Sequence, residues 1–584
     1  MTAMRAAPAI LCLCALASAV PTAVAAQAAG TAAPAAPALV LTGAPLGIEE
    51  VLEVARDHRP VTLAPAARER VAAAFAVVLA AARAQMPVYG LTTGVGWNKD
   101  HHVLGGSGLD PELLAASRRF NIGTLRAHAA GTGAPLPDVV VRAAMLLRLN
   151  LLLSGDGGVQ PQVADQYAAF LDDDITPVVP SGGSVGEADI LDSSHIGLAL
   201  AGEWQVRRAG TQMSAAEALK RAGLKPVQLI GKDFLAIIGD DSLTIAQGLL
   251  AVHSARAWLQ QEITTFALSL EGLDGNVAPF LPATVEVHPE PGFAYVAARL
   301  RAVLAGSDLW KTAEARALQD PLSFRTMPLV LGNAWDALAA AEKEVTFSAN
   351  HSADNPVVLL HAPLLASEGT QARRYLVPGA GDAAIVPTAN FEDLALVAAF
   401  ERLALALAHV ADSVTASVLR FENPALTGLP RFLTAPGNPG HGFGAVQKAV
   451  VAVNSEIRSL ALPVSLESAT LAGNIEDVTN SGPLTVRHLG AMLPDLYTLA
   501  SLQLLHAAQA VDLRPGFHLG AGTHELLAGY RRQVPFVAQD RILTGDIAAG
   551  AQYLRSLAGE PAGTSLANSD ASPATRAGPS QEAP

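Results

Sequence analysis

The sequence predicts an all-α fold of long helices, on three observations. Several stretches of fifteen or more residues carry apolar side chains at helical spacing. Three of them are free of Pro and, apart from Gly248, of Gly, while alternating strand patterns are scarce. Half of the 584 residues are hydrophobic, which suits one large core.

Taken in order, the chain opens with Arg5, an apolar run from Ala9 to Val20 and the small residues Ala23 to Ala26, the pattern of a secretory signal peptide over residues 1–26. A periplasmic or secreted protein is the expectation that follows. Cys12 and Cys14 both fall in that segment, so nothing after it can form a disulfide. Residues 27–45 read as a disordered Ala/Pro/Gly/Thr linker, 46–557 as the folded part, and 558–584 as a Ser/Pro/Ala/Gly tail. Helices are expected over Val139–Leu153, Leu243–Leu270 and Asp393–Arg420. The last is interrupted by Glu401, Arg402, His409 and Asp412, which excludes a membrane span and suits the middle of a bundle. A fourth, Leu484–Leu513, carries Pro494 and should kink there. Glu203–Arg207 is the clearest short strand.

The 39 Lys and Arg against 53 Asp and Glu give a net charge of −14, and no basic run appears. A nucleic-acid surface needs clustered cations, so that class of partner is excluded. Two glycine-rich turns mark where backbone must approach something closely. One, Tyr89-Gly90-Leu91-Thr92-Thr93-Gly94-Val95-Gly96, holds a phenol that could serve as acid or base. The other, Gly182-Gly183-Ser184-Val185-Gly186, is followed by Glu187, Asp189, Asp192 and His195. Glu187 and Asp189 read equally well as helix caps. Asp189, Asp192 and His195 could share one helical stripe and bind a metal ion.

These two turns, with Gln319-Asp320-Pro321 and Arg325, Asp354-Asn355-Pro356, Asn390-Phe391 and Asn474-Ile475-Glu476-Asp477, occur in the order seen in the histidine and aromatic amino-acid ammonia-lyase superfamily. The chain resembles that superfamily from about Leu46 to Leu557. The resemblance implies an all-α homotetramer whose active sites are shared between subunits. It makes Tyr89 the base that takes the substrate's β-proton and Arg325 the clamp on its carboxylate. Gln319 becomes a polar contact, Phe391 a ring packed on the substrate, and His128 a contact to the substrate side chain. Glu476 joins Tyr89 as the second catalytic group, matching the glutamate typical of histidine-processing members. A carboxylate there can accept an imidazole N–H, whereas against a bare phenyl ring it would be desolvated and unpaired.

One departure matters as much as the match. Ordinary members continue the Gly-Ser-Val-Gly turn with Ala-Ser-Gly, which cyclises into the methylideneimidazolone electrophile; here Glu187-Ala188-Asp189 follows. The prosthetic group is therefore expected to be lacking, and no cofactor or metal ligand is assigned. Without the electrophile, the remaining groups could still expel a leaving group that departs unaided, such as a quaternary ammonium, and in this the chain resembles the ergothionase-like lyases. Asp240, where the superfamily has an Asn-Gly turn, together with Glu187 and Asp189, would then suit a fixed positive charge. Leu322 replaces a second tyrosine. The expectation is a carbon–nitrogen lyase that releases an amine, trimethylamine first among them, and leaves an arylacrylate. A non-catalytic binding protein and a conventional histidine or tyrosine ammonia-lyase are the alternatives.

Overall fold

In a computed structural model, residues 36–103, 111–314, 316–466 and 468–559 are described. The signal-peptide reading of 1–26 and nearly all of the tail reading of 558–584 lie outside them. The molecule is mostly helical, and its axis is the 32-residue helix Ser242–Leu273. Most of that helix is buried, apart from a polar stripe through His253, Arg256, Gln260 and Thr264, so it is stable only when surrounded. Its neighbours are Gly482–Asp512, Met327–Ser348 and Asp138–Leu152, and Leu394–Phe421 packs in turn on the first two of these. Trp258 and Phe266 of the axial helix are fully enclosed. The four helices expected from periodicity are all present, with ends moved by one to three residues. Pro494 lies inside Gly482–Asp512, and the helical run continues on both sides of it.

The expected strand is Gln205–Arg208, paired antiparallel with both Thr211–Ser214 and Ile175–Pro177. One expectation is corrected. Residues 36–45 are not a disordered linker: Leu39–Leu41 is a strand that pairs in parallel with Val61–Leu63, and Leu41 is fully buried. The segment is fastened further by Asn150, whose Oδ1 accepts from the Gly43 N–H at 3.2 Å and whose Nδ2 donates to the Ala44 carbonyl at 2.8 Å. Arg70 donates to the Thr42 carbonyl at 2.6 Å.

Beneath the functional region lies a charged knot. Arg148, 2 % exposed, reaches Asp354 at 2.8 Å and Asp240 at 3.2 Å, and its Nε also donates to the Ala236 carbonyl at 2.7 Å. Burial alone would lower the Arg148 pKa, but two carboxylates facing one guanidinium outweigh it, and against its own burial Asp354 is held below the ordinary carboxylate range by Arg148 and Lys232. Removing one member of such a set leaves the others buried and unpaired. Arg148→Met should therefore lower unfolding free energy by about 3–5 kcal/mol in denaturant titration. A loss below about 1 kcal/mol would mean the knot behaves like a surface ion pair.

Candidate active site

The Tyr89 turn follows the helix Pro65–Arg83 and is locked by its threonines. Thr92 Oγ1 donates to the Met86 carbonyl at 2.6 Å and accepts from the Val88 N–H at 2.8 Å. The chain then doubles back, so that the Gly96 N–H donates to Tyr89 Oη at 2.8 Å. This backbone donor fixes where the phenol oxygen points.

The second turn ends at Gly186, with φ +96°, where a side chain would run into Asn480 Oδ1. Glu187, Ala188 and Asp189 follow and lead into the helix Ile190–Leu200. Asp189 does not cap its own helix. Its carboxylate accepts from the Thr244 N–H at 2.8 Å and Thr244 Oγ1 at 2.7 Å, so it caps the axial helix instead. Its own N–H donates to the Asp240 carbonyl at 2.8 Å. Asp240 in turn is held by Arg148 and Ser242. Asp189 and Asp240 are 1 % and 2 % exposed, and neither lines the hollows around Tyr89. The structure thus gives both a supporting place under the turn rather than one facing a ligand. Burial and neighbouring carboxylates raise the pKa of Asp189, and the Thr244 donors oppose the rise.

Above this support two adjoining hollows, of about 810 and 280 Å³, share Tyr89, Gly96 and Glu476 in their walls. His128 and Phe120 line the larger, Glu187 and Phe391 the smaller. The chain thereby brings Tyr89, His128, Glu187, Phe391 and Glu476 together. His128 Nδ1 lies 2.8 Å from the Thr124 carbonyl, which can only accept, so Nδ1 carries a proton and Nε2 is free to face the hollow. Trp97 and Arg119 also line the larger hollow.

The smaller hollow has a one-sided electrostatic character. Glu187, Glu476 and Asp477 line it, and among the described residues no Lys, Arg or His does. Glu187 is pushed up to about 7 by burial first, then by Glu392 and Glu476. Tyr89 is also raised, by burial and by Glu476, with the Gly96 N–H opposing. Both groups are therefore uncomfortable as anions until a positive charge joins them.

Gln319 and Arg325 stand elsewhere. Arg325 donates to Gln319 Oε1, and the two line a separate hollow of about 620 Å³ with Asn276, His288 and Asp320. That hollow shares no residue with the Tyr89 pair of hollows, so within one chain the expected carboxylate clamp is not part of the site. Sequence reading missed two residues that the structure draws in. Glu392, held by Asn480 Nδ2 at 2.8 Å, follows the noted Asn390-Phe391 pair. Trp97 follows the noted Tyr89 turn. In both cases the neighbouring motif was the available signal.

Residues 46–532 match the family model described as aromatic amino acid lyase. The histidine ammonia-lyase of Sorangium cellulosum (strain So ce56) is 34% identical over 523 residues, covering 88% of this chain and 97% of its own. That of Deinococcus radiodurans is 33% identical, covering 86% and 91%. Among solved structures, ergothionase from Treponema denticola, an ergothioneine-degrading enzyme in complex with desmethyl-ergothioneine sulfonic acid, superposes with a TM-score of 0.81 at 34% identity, covering 89% and 99%. Tyrosine aminomutase from Streptomyces globisporus gives 0.79 at 27%, covering 89% and 97%.

The raised Glu187 pKa has a definite sign in stability. A carboxyl that holds its proton up to about 7 when folded, against an ordinary 4.5, destabilises the fold progressively from pH 4.5 upward, with the full cost reached above pH 7. Glu187→Gln removes that cost. Its thermal midpoint should exceed that of the wild type at pH 8 and coincide with it at pH 4, as followed by circular dichroism; no difference at pH 8 would contradict the burial of this charge.

Proposed function

The chain belongs to the aromatic amino acid lyase family, and from that premise we propose that it eliminates a tertiary amine, trimethylamine, from an imidazole-bearing or aromatic amino-acid betaine without a methylideneimidazolone group. The class of reaction, carbon–nitrogen lysis of a small amino-acid substrate, is that of its relatives. The observation that carries the finer reading is the smaller hollow, where three carboxyl side chains gather beside the rings of Tyr89 and Phe391 with no basic residue among the described ones.

The segment that would have to build the electrophile does not suit it. Positions 187–189 hold Glu, Ala and Asp, so there is no serine to dehydrate and no glycine to close the ring. The Asp189 nitrogen is already committed to the Asp240 carbonyl, and the Asp189 carboxylate to Thr244. A substrate that carries its own leaving group needs no such electron sink. Tyr89 Oη, as phenolate, takes a β-proton; the C–H pair becomes the Cα–Cβ double bond; the Cα–N bond breaks, and its electrons leave with neutral trimethylamine. The permanent cation also explains how a phenol with a raised pKa becomes a base. Bound beside Tyr89, it opposes burial and the Glu476 charge and draws the phenol pKa down. Glu476, which lines both hollows, stands beside the cation, Glu187 and Glu392 add negative charge from the side of the smaller hollow, and His128 Nε2 accepts a ring N–H. Arg325 and Gln319 of a second copy supply the carboxylate clamp in the shared-site homotetramer that the family resemblance implies.

The test is direct. Pure protein is incubated with Nα-trimethylhistidine, ergothioneine and histidine, and the ultraviolet band of a conjugated acrylate is followed. The band is expected with the trimethylated compounds and not with histidine; rapid deamination of histidine would overturn the reading. Tyr89→Phe should lower kcat at least about a hundredfold while the Kd for Nα-trimethylhistidine stays within about threefold. Retained turnover would remove Tyr89 from the role of base.

A further inference from the structure

Trp97 is the most exposed of the five tryptophans, at 73 %, and a side chain so open gains little from burial. It is nevertheless held in place. It sits in the short 3-10 turn Gly96–Asn98, one residue after the N–H that fixes the Tyr89 oxygen. Opposite lies the tight loop Leu471–Glu476, closed by the Leu471 N–H donating to the Glu476 carbonyl at 2.6 Å. At its apex is Gly473, with φ +64°, and the indole lies so close over this residue that any Cβ there would fall within the ring. The same loop ends in Glu476, whose Oε1 lies near Gly96. One small piece of backbone therefore provides a seat for the indole and a carboxylate beside it, both in the wall of the larger hollow.

One side of the indole rests on Gly473, and among the described residues no arginine stacks on the ring. The arginines that do stack on rings use Trp335, Tyr375, Tyr530 and Tyr497. A tryptophan face next to a carboxylate is a receptor for a cation that cannot form hydrogen bonds, because the ring quadrupole attracts the charge without needing a donor.

We propose that Trp97, seated on Gly473 beside Glu476, is a specificity-determining residue that selects permanently cationic amino acids by receiving their quaternary ammonium on its indole face. This role rests on the betaine elimination proposed for the same site and adds the residue that distinguishes a trimethylated substrate from a neutral one of the same shape.

The experiment is a calorimetric titration of the full chain with Nα-trimethylhistidine and with its uncharged carbon isostere, in which a tert-butyl group replaces the trimethylammonium. Wild type, Trp97→Phe and Trp97→Leu are compared. Trp97→Leu should raise the Kd of the cation roughly thirtyfold and Trp97→Phe only a few-fold, while the Kd of the isostere moves less than about twofold in either. Turnover by Trp97→Leu should show the change in KM, with kcat within about threefold of wild type, and an unchanged thermal midpoint establishes that the exposed substitution leaves the fold intact. Equal weakening of both ligands would make Trp97 a packing residue, and an unchanged Kd for the cation would end its role. If wild type binds the cation with this Trp97 dependence but releases no amine, the lyase reading fails and the selection stands. If wild type releases amine without any Trp97 dependence, the reverse holds, and if it binds no trimethylated compound, both fail.

Discussion

The site depends on one contact: the Asp189 carboxylate accepting the N–H and hydroxyl of Thr244. A 32-residue helix begins with unpaired N–H groups and a partial positive charge, and in a core this dry they must be met. Here they are met by the segment after Gly186 rather than by the helix's own flank. That choice ties the glycine turn to the axis of the molecule and engages the Asp189 backbone with Asp240. It leaves Glu187, two residues earlier, facing the hollow beside Tyr89. Arg148, shared with Asp354, then holds Asp240 from below, so the turn rests on a buried charged network.

Electrostatics above that network run the other way. Glu187, Glu392 and Glu476 meet, among the described residues no Lys, Arg or His lines the smaller hollow, and burial raises Glu187 and Tyr89 together. For an enzyme that needs a phenolate, this looks unfavourable in isolation. Under the betaine elimination proposed above, the balancing charge is the substrate's own: one bound cation would relieve these groups together and ionise the base only when there is something to deprotonate. On the same proposal, uncharged relatives would be discriminated against, since they would leave the carboxyls desolvated and unpaired.

Much of this was legible in the sequence, and the rest was hidden for identifiable physical reasons. The axial helix and its partners show because apolar spacing sustained over twenty or more residues is the pattern of a buried helix and of little else, and the ends shift only where caps lie outside the periodic run. Leu39–Leu41 does not show, because three residues in an Ala/Pro-rich stretch carry no period and their partner, Val61–Leu63, is distant in the chain. Asp189 was legible as a helix cap but not as the cap of the axial helix, and Asp240 was not legible as a guanidinium partner, since Thr244 and Arg148 are joined to them only by folding. Arg325 and Gln319 were legible from their motif, yet a single chain places them in another hollow. Trp97 and Glu392 sit beside recognised motifs and needed the loop at Gly473 and the Asn480 amide to show what they face.

The central claim is that positions 187–189 remain an ordinary peptide and the substrate brings its own leaving group. The tryptic peptide Leu149–Arg207 of the active protein contains the whole segment, and its mass by high-resolution spectrometry decides the matter. The mass of the unmodified sequence is the expected result; a peptide lighter by the water lost in ring closure would contradict it.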